Sequence, residues 1–122
     1  MVVGIVALGL VLIFVKHDAS NVSVLGTYQR IFLGVKETVS LNPDGSFEQA
    51  LDYPSGATWK TKGKWVLIQR AVQLDISYYY CNDDTGKLDD PPVQNSSVTF
   101  EVVSGGLSRD VQPILRKVRS TK

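Results

Sequence analysis

Apolar and polar side chains alternate along most of the chain from Val24 onward, a spacing typical of β-strands with one buried face. The alternation is clearest in residues 57–68. One face there carries Ala57, Trp59, Thr61, Gly63, Trp65 and Leu67, and the other carries Thr58, Lys60, Lys62, Lys64, Val66 and Ile68. Val66 and Ile68 break the pattern because they place apolar side chains on the lysine face. We expect either a bulge near Gly63 that shifts the parity, or a cover over that end of the face.

The same alternation predicts further strands over residues 24–32, 35–41, 46–53, 71–80, 98–103 and 111–118. Gly-, Pro- and Asp-containing turns separate several of them, at 42–45, 54–56 and 104–106. The polar segment 81–97 is predicted to be a loop, and Pro113 should confine the last strand to a sheet edge. Because short turns join antiparallel strands, the sequence predicts an all-β fold, an antiparallel meander that forms a small barrel or a strongly bent sheet.

Residues 1–15 contain no charged side chain, and Lys16 follows them. As a helix this stretch would be about 22 Å long, against a bilayer core of about 30 Å. We predict an N-terminal apolar helix over residues 1–16 that serves as an uncleaved membrane anchor or a cleaved signal segment; a buried core segment is the remaining alternative. The lack of a basic residue before the apolar run favours the anchor.

The remaining boundaries are set by composition. Residues 17–23 are polar and predict a linker, residues 24–118 form the β domain, and residues 119–122 end a basic tail. Lys16 alone favours a cytoplasmic location for the residues after it, whereas β-rich domains behind such segments are commonly exported. We expect a membrane-anchored or exported protein whose body is extracytoplasmic.

The length, net charge and residue counts of the chain exclude several classes of function. The chain has 122 residues, a formal net charge of +1, one cysteine and one histidine. One cysteine forbids an intramolecular disulfide, and a Cys/His zinc site needs about four ligands. A balanced charge gives nucleic acid no general attraction. His17 lies in the linker, and no phosphate-binding or dinucleotide-binding glycine pattern is present, so we expect neither an enzyme nor a cofactor, with a small hydrolase as a distant alternative.

Three short motifs, Gly26-Thr27-Tyr28, 41-LNPDGSF-47 and 63-GKW-65, resemble the pattern of small bacterial lipocalin-like domains. Such domains begin with a glycine–x–aromatic strand and continue through a D-G-[ST]-[FY] turn and a G-x-W strand. The similarity covers residues 24–80. It implies a β-meander barrel, extracytoplasmic and often of unknown function, and it implies no particular ligand. The chain is shorter than a true lipocalin and has Tyr28 where those proteins typically carry tryptophan.

Aromatic residues on the inward parity provide the candidate ligand-binding residues, which are Tyr28, Phe47, Tyr53, Trp59 and Trp65. They would line the mouth of a barrel as a cavity for a small apolar ligand. The alternative is a packed core, because a domain of this size needs the area that aromatic side chains bury.

Charged and tyrosine-rich stretches provide the candidates for membrane or partner contact. Lys60, Lys62 and Lys64 form a cationic stripe that either contacts anionic lipid headgroups or is solvated and discourages edge pairing. Tyr79 is expected on the outside and is a candidate for a protein contact. The basic tail 116–122 is a further candidate for an anionic surface.

Two remaining features favour ordinary explanations. The loop acids Asp83, Asp84, Asp89 and Asp90 match no EF-hand spacing, so we predict no metal site. Cys81 has no neighbouring base in the sequence to activate it. The sequence therefore predicts a non-enzymatic membrane-anchored or exported domain that binds a small apolar ligand or lipid; the alternative is an envelope protein–protein interaction module.

Overall fold

A computed structural model describes residues 23–109 and 112–120 of the chain. Eight β-strands make up this part. They are β1 (Gly26–Phe32), β2 (Val35–Leu41), β3 (Ser46–Asp52), β4 (Thr58–Ile68), β5 (Ala71–Cys81), β6 (Leu88–Val103), β7 (Gly106–Ser108) and β8 (Leu115–Ser120). The helix predicted over residues 1–16 lies outside the described residues. Within them, no helix has the length and apolarity needed to cross a bilayer.

The strands follow one another around a closed barrel, each paired antiparallel with its neighbour in the chain. Pairing of β1 with β8, from Gly26↔Ser120 to Gln29↔Arg116, closes the sheet. The prediction of an all-β antiparallel barrel is therefore confirmed, and short turns between alternating strands account for it.

The two ends of the barrel carry different sets of turns. The proximal end is where β1 begins, and it carries the turns 42–45, 69–70 and 104–105. The distal end carries the connections 33–34, 53–57 and 82–87, together with the described residues 109 and 112–114.

The prediction of a loop over residues 81–97 is wrong for most of that segment, because strand β6 begins at Leu88. The register with β5 shifts between Tyr79↔Val93 and Cys81↔Leu88, which leaves residues 89–92 outside the ladder. Pro91 and Pro92 lie in that bulge, where no backbone N–H is needed for pairing. The polar composition masked a strand because most of its side chains face solvent.

Pro113 does not mark an edge strand. The last strand begins after it, at Leu115, and pairs with β1 on one side and with β7 on the other. The Pro113 carbonyl accepts a 2.9 Å hydrogen bond from Arg30 Nη1 instead. A proline that precedes a strand removes no hydrogen bond from its ladder.

The sequence predicted either a bulge near Gly63 or a cover over Val66 and Ile68, and the structure shows neither. Inward and outward side chains alternate without a shift along the whole of strand β4. Trp59, Gly63 and Trp65 all lie on the more buried face, without a shift at Gly63. Val66 is 50% exposed and Ile68 is 54% exposed, so this end of the outer face is also uncovered.

Apolar side chains fill the interior in two clusters. The larger one lies toward the proximal end and contains Val24, Leu25, Tyr28, Val39, Leu41, Phe47, Trp65, Val72, Leu74, Val98, Phe100, Leu107 and Leu115. The smaller one lies toward the distal end and contains Val35, Leu51, Tyr53 and Tyr80, with Phe32, Trp59, Tyr78 and Leu88 packed against it.

Strands β4 and β5 are long but pair over only four residues each, from Trp65↔Leu74 to Ile68↔Ala71. Beyond that point Asp75 turns its carboxylate toward β4, and its Oδ1 accepts a 2.8 Å hydrogen bond from the Lys64 backbone N–H. In the distal half the two strands are therefore joined by side chains instead of a backbone ladder.

Candidate functional site

A polar layer crosses the interior between the two apolar clusters. The inward positions read Tyr28, Arg30, Phe32 on β1; Val35, Glu37, Val39 on β2; and Phe47, Gln49, Leu51 on β3. In each strand one polar residue lies between two apolar ones. The three polar residues lie at a similar height along the barrel, between its two ends. Glu37 is 1% exposed and Gln49 is 3% exposed, so the layer is shielded from water.

Glu37 is the centre of this layer. Its Oε1 accepts hydrogen bonds from Arg30 Nε at 2.8 Å and from the Tyr80 hydroxyl at 2.7 Å. Its Oε2 accepts a 2.8 Å bond from Gln49 Nε2. Three donors to one carboxylate compensate much of the cost of burying its charge. The Arg30 guanidinium also lies 5.5 Å from the centre of the Phe32 ring.

Gln49 links the layer to the interrupted seam between β4 and β5. Its Oε1 accepts a 2.6 Å hydrogen bond from the Tyr78 backbone N–H, and its Nε2 donates to the Tyr78 carbonyl at 3.2 Å. The side-chain amide thus pairs with both backbone groups of Tyr78, as a neighbouring strand residue would. The Trp59 ring meets the Tyr78 ring edge-on at 6.2 Å.

The titration of the interior is governed by burial. Burial, and then the Glu37 charge, raise the pKa of Tyr80 far above its usual range. Burial alone would lower the pKa of Arg30, but the charges and hydrogen bonds of Glu37 and Tyr80 raise it. The raised pKa values keep Arg30 charged and Tyr80 a neutral donor at neutral pH.

Sequence reasoning missed Arg30, Glu37 and Gln49, although a signal for them was present. Each occupies the inward parity of a strand whose other inward positions are apolar. When one strand of a hairpin has a basic residue at an inward position and the other strand has an acidic one, the two residues are expected to form a buried ion pair. Nothing in the sequence shows that Gln49 would reach across the barrel to β5.

The five aromatic candidates do not surround one cavity. Tyr28, Phe47 and Trp65 belong to the larger apolar cluster, and Tyr53 and Trp59 belong with the smaller one. The four most enclosed of them are 8% exposed or less; they are Phe47, Tyr28, Tyr53 and Trp65. Their polar atoms have partners: the Tyr28 hydroxyl donates to the Val24 carbonyl at 2.7 Å, and Trp65 Nε1 donates to the Asn42 carbonyl at 3.0 Å. Trp59 Nε1 is buried without a partner among the described residues.

A cleft of about 480 Å³ lies on the outer face of β2, β3 and β4. It is lined by Thr38, Ser40, Glu48, Gln49, Ala50, Lys60, Thr61 and Lys62. In residues 23–109 and 112–120 the Arg30–Glu37 contact is the one ion pair within 4.0 Å, so Lys60 and Lys62 have no carboxylate at that distance there. Cross-strand pairing places Lys62 opposite Glu48 and Lys60 opposite Ala50. The arrangement presents two ammonium groups with their apolar stems, several hydroxyls and the single carboxylate of Glu48 to an incoming group.

A second cleft, of about 610 Å³, lies on the outer face of β6 and β7. It contains Glu101 and Arg109 together with small polar residues. Its one carboxylate balances its one guanidinium, whereas the first cleft, called the lysine cleft below, has two lysines against the single carboxylate of Glu48.

Tyr79 is half-buried instead of projecting freely. The Arg109 guanidinium lies 4.2 Å from the centre of its ring, and Gln112 Nε2 donates to its hydroxyl at 3.3 Å. The hydroxyl itself donates to Asp83. Burial and this bond to Asp83 raise the pKa of Tyr79.

The remaining features singled out in the sequence are Cys81, the loop acids and the basic tail. Cys81 is half-buried at the end of β5. Within the described residues, no group of three or more His, Cys, Asp or Glu side chains is arranged to hold a metal ion. Residues 116–120 of the basic tail form part of β8.

Comparison of the chain with protein-family models, with curated proteins and with solved structures finds no match in any of the three.

Proposed function

We propose that this chain is a non-enzymatic binding domain, membrane-anchored or exported, whose ligand is the anionic headgroup of a lipid. The observation that carries the proposal is the lysine cleft, where Lys60 and Lys62 stand beside hydroxyl groups without a carboxylate within ion-pair distance among the described residues. Each basic residue near an anionic bilayer contributes about 1 kcal/mol to binding.

The proposal keeps the lipid ligand expected from the amino-acid sequence and moves its site. Side chains of the barrel itself occupy the interior, and those that were candidates for an apolar pocket pack in two separate clusters. Binding an apolar molecule there requires displacing packed aromatic residues from beside a buried ion pair. Binding a headgroup on the outer face requires no such rearrangement.

The test compares binding of the full chain to vesicles of phosphatidylglycerol mixed with phosphatidylcholine and to vesicles of phosphatidylcholine alone. Residues 1–16 carry no charged side chain before Lys16, so their contribution to binding should be similar for both vesicles and should cancel in the ratio of the two affinities. Replacing both cleft lysines, Lys60→Gln with Lys62→Gln, should lower the ratio by about thirtyfold, since two such contacts are worth about 2 kcal/mol.

A matched control removes the same charge elsewhere. Lys36 and Lys87 are exposed toward the distal end and do not line the cleft. Lys36→Gln with Lys87→Gln should leave the ratio close to that of the unmodified chain. Equal effects of the two double variants would mean that only net charge matters, and the cleft would then not be the site.

The protein-interaction alternative retains one specific observation. Between Thr58 and Lys64, β4 pairs with β3 and has no residue in register with β5. Such an edge accepts an added strand in many protein–peptide complexes, although its lysines oppose self-pairing. A defined partner that protects the Lys60 and Lys62 amides from hydrogen exchange would favour this function over headgroup binding.

A further inference from the structure

The outer row of β4 changes character along its length. Lys60, Lys62 and Lys64 are followed on the same face by Val66 and Ile68, and the turn then places Arg70 at the tip. Half or more of the surface of Val66 and Ile68 is exposed. Exposed aliphatic side chains next to basic ones form a surface suited to the boundary between headgroups and acyl chains of a bilayer.

This tip lies at the end of the barrel where the described chain begins. A small cleft of about 100 Å³ is lined by Ser23 and Val24 together with Leu67 and Arg70 of the β4–β5 hairpin. Lys117 Nζ donates to the Ser23 carbonyl at 2.6 Å, so a basic strand is also adjacent. The apolar tip and residue 23 therefore share the proximal end.

The preceding sequence constrains how far this end can lie from a membrane. The linker 17–23 spans at most about 25 Å when fully extended. If residues 1–16 are an anchor, as the proposed function assumes, the proximal end is held within that distance of the bilayer. The distal end, on the far side of the barrel, carries the exposed acids Asp83 and Asp84 beside the exposed lysines Lys36 and Lys87, and it is the end farther from residue 23.

We propose that the proximal end is a bilayer-docking surface: Val66 and Ile68 insert below the headgroups of an anionic membrane, while Lys64 and Arg70 engage phosphates beside them. The inference rests on the proposed membrane function and specifies which end of the barrel faces the bilayer. In the docked state the barrel leans on the outer face of β4, so that Val66 and Ile68 enter the bilayer at the tip while Lys60 and Lys62, farther along the same face, approach the headgroups.

The experiment attaches an environment-sensitive nitrobenzoxadiazole dye at one position of the full chain. Cys81→Ser removes the native thiol, and Ile68→Cys places the dye at the tip. Ile31→Cys is the matched control, because Ile31 is an exposed isoleucine, 72% accessible, next to the distal turn 33–34. Both labelled proteins are reconstituted in vesicles of phosphatidylglycerol and phosphatidylcholine.

We expect the dye at position 68 to shift its emission to shorter wavelength and to be quenched by lipids spin-labelled just below the headgroup. The dye at position 31 should keep its emission in water. An unshifted dye at position 68, or equal shifts at both positions, overturns the docking geometry. Thermal unfolding of both labelled proteins verifies that neither substitution disrupts the barrel.

The outcome separates this inference from the function on which it rests. If the lysine cleft alone is wrong, the dye at position 68 still shifts, whereas the Lys60→Gln and Lys62→Gln substitutions leave the vesicle ratio unchanged. If the docking geometry alone is wrong, the lysine substitutions still lower the ratio while the dye at position 68 reports water. A shift of equal size in vesicles of phosphatidylcholine alone contradicts the contribution of Lys64 and Arg70.

Discussion

The proximal and distal ends of the barrel are stabilised in different ways. Toward the proximal end, β4 and β5 share a backbone ladder, and a continuous apolar cluster fills the space beneath it. Toward the distal end the ladder stops, and the ion pair of Arg30 and Glu37, with Gln49, connects the strands through side chains. The larger apolar cluster loses stability in proportion to the apolar area removed, whereas the polar layer beside the smaller cluster depends on every hydrogen-bond partner being present.

Removing Glu37 is the strongest way to test this contrast. Glu37→Leu leaves the Arg30 charge buried without its partner, and we expect a loss of about 3 to 5 kcal/mol in the free energy of unfolding. Urea denaturation followed by tryptophan fluorescence measures it. The double variant Arg30→Met with Glu37→Leu should recover part of that loss, because an apolar pair of similar volume carries no buried charge. The remainder reflects the Tyr80 hydroxyl, which loses its acceptor. A double variant as unstable as Glu37→Leu would contradict this account.

Truncation of an apolar residue tests the proximal end. Leu74 is fully buried in the larger cluster, so Leu74→Ala should cost about 2 to 5 kcal/mol, measured in the same way. Leu88, half-buried beside the smaller cluster, is the matched distal leucine, and Leu88→Ala should cost less than half as much. Equal losses would mean that the distal end also depends on apolar burial.

The proximal end was the more predictable of the two. Alternation in residues 35–41 and the turn 42–45 predicted β2 and the hairpin to β3, and the structure confirms both. Local spacing is sufficient there because the inward parity is apolar and the turn chemistry is specific. The apolar side chains of Val66 and Ile68 on the lysine face were visible as an anomaly, but both explanations expected from the sequence are wrong.

The distal end was harder to predict for a physical reason. Its strand β6 reads as a polar loop, and its prolines occupy a bulge that only the partner strand defines. The bond from Gln49 to Tyr78 joins residues far apart in the chain, so no local pattern reports it. The lysine stripe was visible in the sequence, but the cleft beside it is formed by three strands together.

Alkaline pH should destabilise both ends through their tyrosines. Burial raises the pKa of Tyr28 to about 12, against about 10 in the unfolded chain. The unfolded state therefore loses its proton first, and stability is lost as the pH rises from about 10 to about 12. Because the shift is about two units, we expect about 2 kcal/mol from Tyr28 over that range.

The same experiment compares the two ends. Tyr28→Phe should flatten part of the decline in melting temperature between about pH 10 and about pH 12. Tyr80→Phe should flatten it further at high pH, since burial and Glu37 raise the pKa of Tyr80 even more. This variant is already less stable at neutral pH because Glu37 loses a donor. An unchanged alkaline slope in both variants would assign the decline to other groups.

The pairing of Gln49 with Tyr78 should give a smaller and more local effect. Gln49→Met keeps similar volume but leaves the backbone groups of Tyr78 without this partner, and we expect a loss of about 1 to 3 kcal/mol. Amide hydrogen exchange by NMR should show the Tyr78 N–H exchanging much faster. The Gln73 amide, inside the β4–β5 ladder opposite Val66, should exchange no faster than global unfolding allows. Uniform acceleration at both amides would show that the two ends open together.

Substitutions where the β4–β5 ladder ends, at Gly63 and Asp75, should have the smallest effect on stability among those proposed. A Cβ added at Gly63 would lie 2.3 Å from Asp75 Oδ1 and 3.0 Å from a Phe47 ring carbon. Gly63→Ala must therefore displace the Asp75 carboxylate from the Lys64 amide, at a cost of about 1 to 2 kcal/mol. Asp75→Ala alone should cost about 1 kcal/mol or less, because water replaces its exposed hydrogen bond.

These two substitutions should not be additive, because both remove the same hydrogen bond. With Asp75 already replaced by alanine, Gly63→Ala meets only the edge of the Phe47 ring, and its cost should fall to a few tenths of a kcal/mol. Urea denaturation of the two single variants and the double variant completes the cycle. Strict additivity would mean that the two substitutions act independently, and that the bond from the Lys64 amide to Asp75 is not what Gly63→Ala disrupts.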